Sequence, residues 1–481
     1  MPSTKPLYLA AIDLGATSGR VILGIWSKNQ LKLQEVHRFA NAFQSIGEHD
    51  YWNVPGLWNE ILTGLRAAVA ALPGKATLAA VGVDTWGVDY ALVNDAGRLV
   101  YPVHAYRDSR TQPGLKRLSD TRAALERIYA ATGVPAVFYN SSLQLEETVA
   151  THPAITDLAT RCLFLPDYFN FLLSGRMANE LTIASTSQLL DVHSTDWSRP
   201  ALDHFRVPAQ WFSKPVLAGT KLGKVKGIDA LKTTQVIAVP GHDTACAYDA
   251  MPASPDGTDL FLSSGTWSLV GFESDTPLLG DEALAARISN ERIGDGRYRP
   301  LTNVIGLWLL EGVIKDFATR PKNDAEWAKL ITSAEKLPAP AALIDVTDAT
   351  LTNPKSMKAA IDAQLKKRRI AAPKDLAGYT RLICESLGRG HADAMGAFER
   401  MGGRTFKRIL IVGGGSKNRL LRQATANAAG VPVVSFALEG TAVGNLARQL
   451  IALGAVKNLT VFRALLGKSL QQTTYKPKVA R

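Results

Sequence analysis

Only three cysteines, Cys162, Cys246 and Cys384, occur in the 481 residues, and no two form a Cys-x-x-Cys pair. That spacing excludes a disulfide framework and a thiolate zinc site, and it fits a reducing cytoplasm. Long hydrophobic runs are also missing. The apolar stretch at residues 7–14 falls far short of the roughly 20 apolar residues of a membrane helix. No small-residue cleavage site follows it, so it reads as a buried first strand and not as a leader. A Walker phosphate loop is absent too: the lone Gly467-Lys468-Ser469 has Phe462 where that loop needs its first glycine.

Charge is unbalanced, with a formal net charge of +12. The basic residues gather at Lys366-Lys367-Arg368-Arg369 and at Lys476, Lys478 and Arg481. Neither stretch interleaves aromatics with its cations, as a single-strand binder does, so they read as a solvated helix face and a tail. No nucleic-acid or membrane partner is expected, and the excess suits an anionic nucleotide substrate.

A chain of this length exceeds one ordinary core, so two domains are expected. Strand and helix patterns alternate, which specifies an α/β fold. Residues 7–13, 21–26 and 31–38 predict an antiparallel meander turning at Lys28-Asn29. A helix over 57–72 and a strand over 78–84 follow. Residues 120–179 read as largely helical, punctuated by Gly133, Pro135 and Gly175. Near residue 235 the pattern restarts, with strands at 235–240, 259–262, 267–273 and 408–412 and a helix reaching 427. A duplicated architecture is expected, with domains 1–245 and 246–481.

Small-residue turns stand at strand ends in both halves. In Asp13-Leu14-Gly15-Ala16-Thr17-Ser18-Gly19-Arg20 the backbone can approach phosphate oxygens closely, and Asp13 could hold Mg²⁺ through water. Ser263-Ser264-Gly265-Thr266 suits a second phosphate grip, and Gly413-Gly414-Gly415 a nucleotide lying on bare backbone. A dinucleotide fingerprint would need glycine at position 418, which is asparagine. Together these turns point to ATP clasped between domains. Transfer to a hydroxyl needs one carboxylate to accept its proton. Asp243, Asp84 and Asp89 all follow apolar strands, and Asp84 and Asp89 bracket Trp86, an aromatic wall for a sugar. Residue pattern leaves the choice of base among these three open.

The residues resemble the FGGY family of carbohydrate kinases nearly end to end. The resemblance is carried by residues 12–20, 83–90, 105–110, 165–169, 241–245, 262–272, 303–310 and 411–415. It implies two duplicated actin-like ATPase (ribonuclease H-like) domains around a central cleft. By this resemblance Ala16, Thr17, Ser18, Gly19, Arg20 and Thr266 would contact ATP phosphates, and Gly414 and Gly415 the nucleotide. Gly87, Asp84, Trp86, His242, Thr244 and Asn303 would line the sugar site. Asp243 would be the general base, taking the proton from the C1 hydroxyl. The family pattern has glutamine at a nucleotide contact where this chain has Glu311. The implied reaction uses ATP and Mg²⁺ to convert a ketose, L-rhamnulose first, to its 1-phosphate. L-fuculose, L-ribulose and L-xylulose are the other ketoses, and a non-catalytic nucleotide sensor is the reading from another class. A cytoplasmic monomer or homodimer is expected.

Overall fold

The structure, a computed structural model, describes residues 5–437 and 439–478. Arg481, at the end of the basic tail, lies outside them. The chain divides into two compact units. The first holds residues up to Pro252 with Glu273–Pro300 and Glu439–Ser469; the second holds Ala253–Phe272, residues 301–437 and those from Leu470 onward.

In the first unit, β1 (Leu7–Leu14), β2 (Ser18–Ser27) and β3 (Gln30–Ala40) form the expected antiparallel meander. Lys28 and Asn29 both take positive φ, 50° and 60°, as a two-residue hairpin turn demands. β1 is buried along six of its eight residues because it is flanked on both edges and covered on both faces. β4 (Leu78–Thr85) lies parallel to β1, and residues 90–93 form β5.

Within the stretch read as helical, Arg161–Phe164 is β6, paired antiparallel to β5. Four residues, three of them apolar, are too few for period to separate strand from helix. Gly133 and Gly175 close helices in the left-handed conformation, as their punctuation implied. β7 (Lys221–Lys224) and β8 (Gln235–Ile237) complete a sheet of order β3-β2-β1-β4-β8-β7.

The second unit repeats this plan. β9 (Asp259–Ser264) and β10 (Trp267–Gly271) pair antiparallel, and β10 pairs with the second-unit part of β12 (Tyr298–Ile305), after the short β11 (Ser289–Arg292) of the first unit. β13 (Arg408–Val412) and β14 (Val433–Phe436) continue in parallel from β9, and β15 (Gln472–Tyr475) closes antiparallel. Three meander strands, two parallel strands and one antiparallel edge strand thus recur in each unit. The duplication inferred from pattern is present in the strand order.

Two helices set the first unit's site. α1 (Asp243–Ala250) crosses α2 (Gly440–Ala452) at Gly444, where an added Cβ would sit 1.8 Å from the Cys246 carbonyl oxygen. Only glycine permits that approach. In the second unit α3 (Trp308–Asp316) and α4 (Arg419–Ala429) follow their strands. All three cysteines are buried and free. The run Lys366–Arg369 is exposed at a helix end. Among the described residues no helix is long and apolar enough to cross a membrane.

Candidate active site

Four chain segments of the first unit bring their carboxylates and imidazole together. One residue before the ends of β1 and β4, which run in parallel register, Asp13 and Asp84 stand directly beside each other. The turn between β1 and β2 is braced by Gly15 N–H donating to Ser18 O (2.9 Å) and by Asn41 Nδ2 donating to Gly15 O (2.8 Å). Ala16 and Ser18 are half-buried and Thr17 is exposed on this turn. Gly19 is fixed by packing: a Cβ there would meet the Phe39 ring at 2.2 Å. Arg20 donates through Nε to Asp13 Oδ2 (2.9 Å) and through Nη1 to Glu439 Oε2 (2.5 Å).

The electrostatics follow from this crowding. Burial raises the Asp13 carboxyl, against the lowering effect of Arg20, and the carboxylate of Asp243 adds to the rise. Asp84 is raised well above the usual range by burial, then by Asp13, with Asp243 adding less. Asn445 Nδ2 donates to Asp84 Oδ2 at 2.6 Å, while Asp84 Oδ1 is buried with no hydrogen-bond partner. Oxygen donors and an orphaned carboxylate oxygen are what a hard divalent cation requires, so the residues present fit Mg²⁺.

The Asp84–Asp89 loop divides its labour. Val88 adopts φ 69°, costly for a β-branched residue. Its N–H donates to the Thr186 hydroxyl (3.2 Å) and its carbonyl accepts from Ser141 (2.5 Å). Gly87 sits beside His242, where a Cβ would lie 3.4 Å from Nε2. Trp86, expected as an aromatic wall, instead packs its indole into the core, 4.2 Å from Trp52 between ring centroids. Both indoles donate to Asp89 Oδ2, at 2.8 and 2.6 Å, and Gln144 and the Tyr106 N–H also donate to Asp89. Asp89 is therefore a buried structural knot, and burial moves its carboxyl up to about 6.

Asp243 opens α1, and the loop before it is pinned from two directions. Thr85 N–H donates to Gly241 O (2.9 Å), and Gly241 N–H donates to the buried Glu180 (2.9 Å). Thr244 donates to Asp243 Oδ1 from its backbone N–H (2.5 Å) and its hydroxyl (3.0 Å). Among the described residues Oδ2 of Asp243 accepts nothing. His242 Nε2 lies 3.4 Å from Oδ1, and its Nδ1 faces Glu291 and Arg299. Neither Glu291 nor Arg299 stood out in the sequence, because charges in short polar strands such as Ser289–Arg292 read as solvent-facing and carry no spacing signal.

In the second unit the two nucleotide-type turns meet. Ser264 ends β9 and is wedged against the glycine loop after β13, where a Cβ at Gly413 or Gly415 would strike it at 2.6 or 2.1 Å. Gly414, between them, has open space on its Cβ side. The carbonyls of Gly265 and Thr266 accept from the N–H groups of Leu307 and Trp308, at 2.9 and 3.2 Å, tying this turn to the start of α3. Thr266 and Asn303 are exposed. Glu311, on the first turn of α3, forms an ion pair with Arg320. That pairing neutralises the carboxylate that replaces the expected amide.

Comparisons with known proteins agree with this architecture. Residues 8–248 match the N-terminal domain, and residues 260–453 the C-terminal domain, of the FGGY family of carbohydrate kinases. A rhamnulokinase of Klebsiella pneumoniae subsp. pneumoniae is 37% identical over 472 residues, covering 98% of this chain and 94% of that protein. A rhamnulokinase of Bacteroides thetaiotaomicron is 35% identical, covering 97% and 95%. Among solved structures, a gluconate kinase from Lactobacillus acidophilus superposes with a TM-score of 0.80 at 16% identity, covering 98% of this chain and 94% of that one. A xylulose kinase from Rhodospirillum rubrum gives 0.80 at 17%, with the same coverage. At such identities the structural likeness establishes the fold alone.

Proposed function

The chain belongs to the FGGY family of carbohydrate kinases, and we propose that it phosphorylates L-rhamnulose at its C1 hydroxyl with ATP as donor. The sugar follows from the full-length likeness to rhamnulokinases. The observation that carries the chemistry is the state of Asp243. One carboxylate oxygen is held by Thr244, and the other is free to accept a proton.

In this reading Asp243 Oδ2 takes the proton of the C1 hydroxyl as that oxygen bonds to the γ-phosphorus. The bond from phosphorus to the bridging oxygen breaks, and ADP leaves with the electron pair. Gly87, His242, Thr244 and Asn303 orient the ketose. Asp84 acts through electrostatics, and Trp86 supports the loop from below. Ala16 to Arg20 and Thr266 address the phosphates, while Gly414 and Gly415 offer bare backbone to the nucleotide beside Glu311. Asp13 would hold Mg²⁺ through water; when bound, the ion offsets charge on the phosphates. Three unpaired cysteines and an ATP donor suit a cytoplasmic enzyme.

A coupled ADP-release assay tests the reading, with Mg-ATP and a panel of L-rhamnulose, L-fuculose, L-ribulose and L-xylulose. The expected result is a kcat/KM for L-rhamnulose well above the others. A higher value for another ketose would reassign the substrate, and ATP binding without any turnover would favour a sensor.

A further inference from the structure

Glu291 on β11 and Arg299 on β12 form an ion pair in the first unit, and the Arg299 side chain is 0% exposed. A buried pair of this kind contributes little net stability, because desolvation offsets the Coulomb attraction. Arg299 is a poor structural choice in another respect: its Nε and Nη1 atoms are buried without hydrogen-bond partners. What the pair does touch is His242. Glu291 Oε2 lies 3.0 Å from His242 Nδ1, and Arg299 Nη2 lies 2.6 Å from the same nitrogen.

The tautomer follows from donor inventory. A guanidinium nitrogen can only donate. Glu291 Oε2, an acceptor only, lies 3.0 Å from His242 Nδ1 and favours Nδ1–H. Arg299 Nη2 is closer at 2.6 Å, where two N–H groups cannot face each other, and Glu291 already accepts from Arg299. Nδ1 therefore accepts, and the imidazole proton resides on Nε2. Nε2 is the edge that faces Asp243 Oδ1 at 3.4 Å and lies beside Gly87. Oδ1 already accepts twice from Thr244. The Nε2–H adds a third positive dipole on the same oxygen, which keeps Oδ2 as the proton acceptor.

We propose that Arg299 and Glu291 are positioning residues for phosphoryl transfer. Arg299 holds His242 as the Nε2–H tautomer, Glu291 holds Arg299, and His242 so fixed orients Asp243 with Oδ2 turned to the substrate hydroxyl. This rests on the reading of Asp243 as the base.

The test uses the full chain labelled with ¹⁵N-histidine, observed by long-range ¹H–¹⁵N NMR, with the His242 signals assigned by their loss in His242→Asn. The wild-type protein should show the neutral Nε2–H form. Arg299→Met should move the proton off Nε2 in part or wholly, and Arg299→Lys should restore it. In Arg299→Met and in the isosteric Glu291→Gln, kcat should fall about ten- to a hundredfold, with KM for ATP little changed. A wild-type Nδ1–H form or imidazolium would overturn the proposal. So would an unchanged His242 signal in the variants, or undiminished kcat in variants that melt normally. If Arg299→Met fails to fold, Glu291→Gln decides by the same two readouts. Asp243→Asn is measured in parallel: turnover surviving there defeats the base assignment, whereas the His242 tautomer is judged independently of activity.

Discussion

Asp13 and Asp84 are register partners on adjacent parallel strands, and in that buried corner the Asp84 carboxyl is raised first by burial and then by the charge of Asp13. Such a pair is a standing electrostatic cost that one cation or one proton relieves. Asp84→Asn removes the repulsion, so its melting temperature should not fall, while the Mg²⁺ concentration giving half-maximal rate should rise. Calorimetry and a Mg²⁺ titration of the rate check this. A variant that melts lower with an unchanged Mg²⁺ requirement would contradict it.

Asp243→Asn retains the shape of the residue and its place at the start of α1 but removes the proton acceptor. Turnover should drop by about a hundredfold or more, with ATP and sugar still bound by calorimetry. Near-normal kcat would remove Asp243 from the mechanism.

The crossing of α1 over α2 admits no side chain at Gly444, since its Cβ would meet the Cys246 carbonyl at 1.8 Å. Backbone cannot yield as a flexible side chain does. Gly444→Ala should cost about 3 kcal/mol, at the upper end for overpacking, and displace Asp243 with its helix. Urea denaturation measures the loss; an unshifted midpoint would mean the helices separate freely.

Asp89 supplies a pH signature. Its folded-state carboxyl sits near 6, raised by burial from the ordinary 3.8 and restrained by the indole donors. The folded state therefore binds the extra proton between those values, and this contribution to stability is full below 3.8 and lost as pH rises through about 6. The change is about 3 kcal/mol at 1.36 kcal/mol per unit. Comparing unfolding free energies of wild-type and Asp89→Asn from pH 4 to 7 should show the difference between them varying in that window. A constant difference would assign the slope to other groups.

Glu311 and Arg320 make a double-mutant test. Removing the cation in Arg320→Ala leaves an uncompensated carboxylate, so KM for ATP should rise about threefold, the scale of an exposed pair. Adding Glu311→Gln to it should restore the value. KM for the sugar should stay constant throughout.

Much of this architecture is legible in the sequence alone. The strand ends at Asp13, Asp84 and Ser264 were visible because apolar runs stop abruptly at small or acidic residues. The repeat was visible because the same punctuation recurs. Trp86 was misjudged for a physical reason: exposure depends on where its partner lies, and Asp89 with Trp52 gives the indole a buried acceptor. Glu291 and Arg299 were silent because their meaning is wholly three-dimensional. A four-residue strand such as Arg161–Phe164 is specified by its pairing with Tyr90–Val93 and not by its own composition.

The three buried thiols have a practical side. Burial raises Cys162 and Cys246 well above their ordinary values and Cys384 to about 12. Alkylating reagents and maleimide dyes, which need an accessible thiolate, should pass them by. A cysteine engineered at any chosen surface position would then be the sole labelled atom in the molecule. Fluorescent or spin reporters could follow each unit through a catalytic cycle without first stripping the native sulfur.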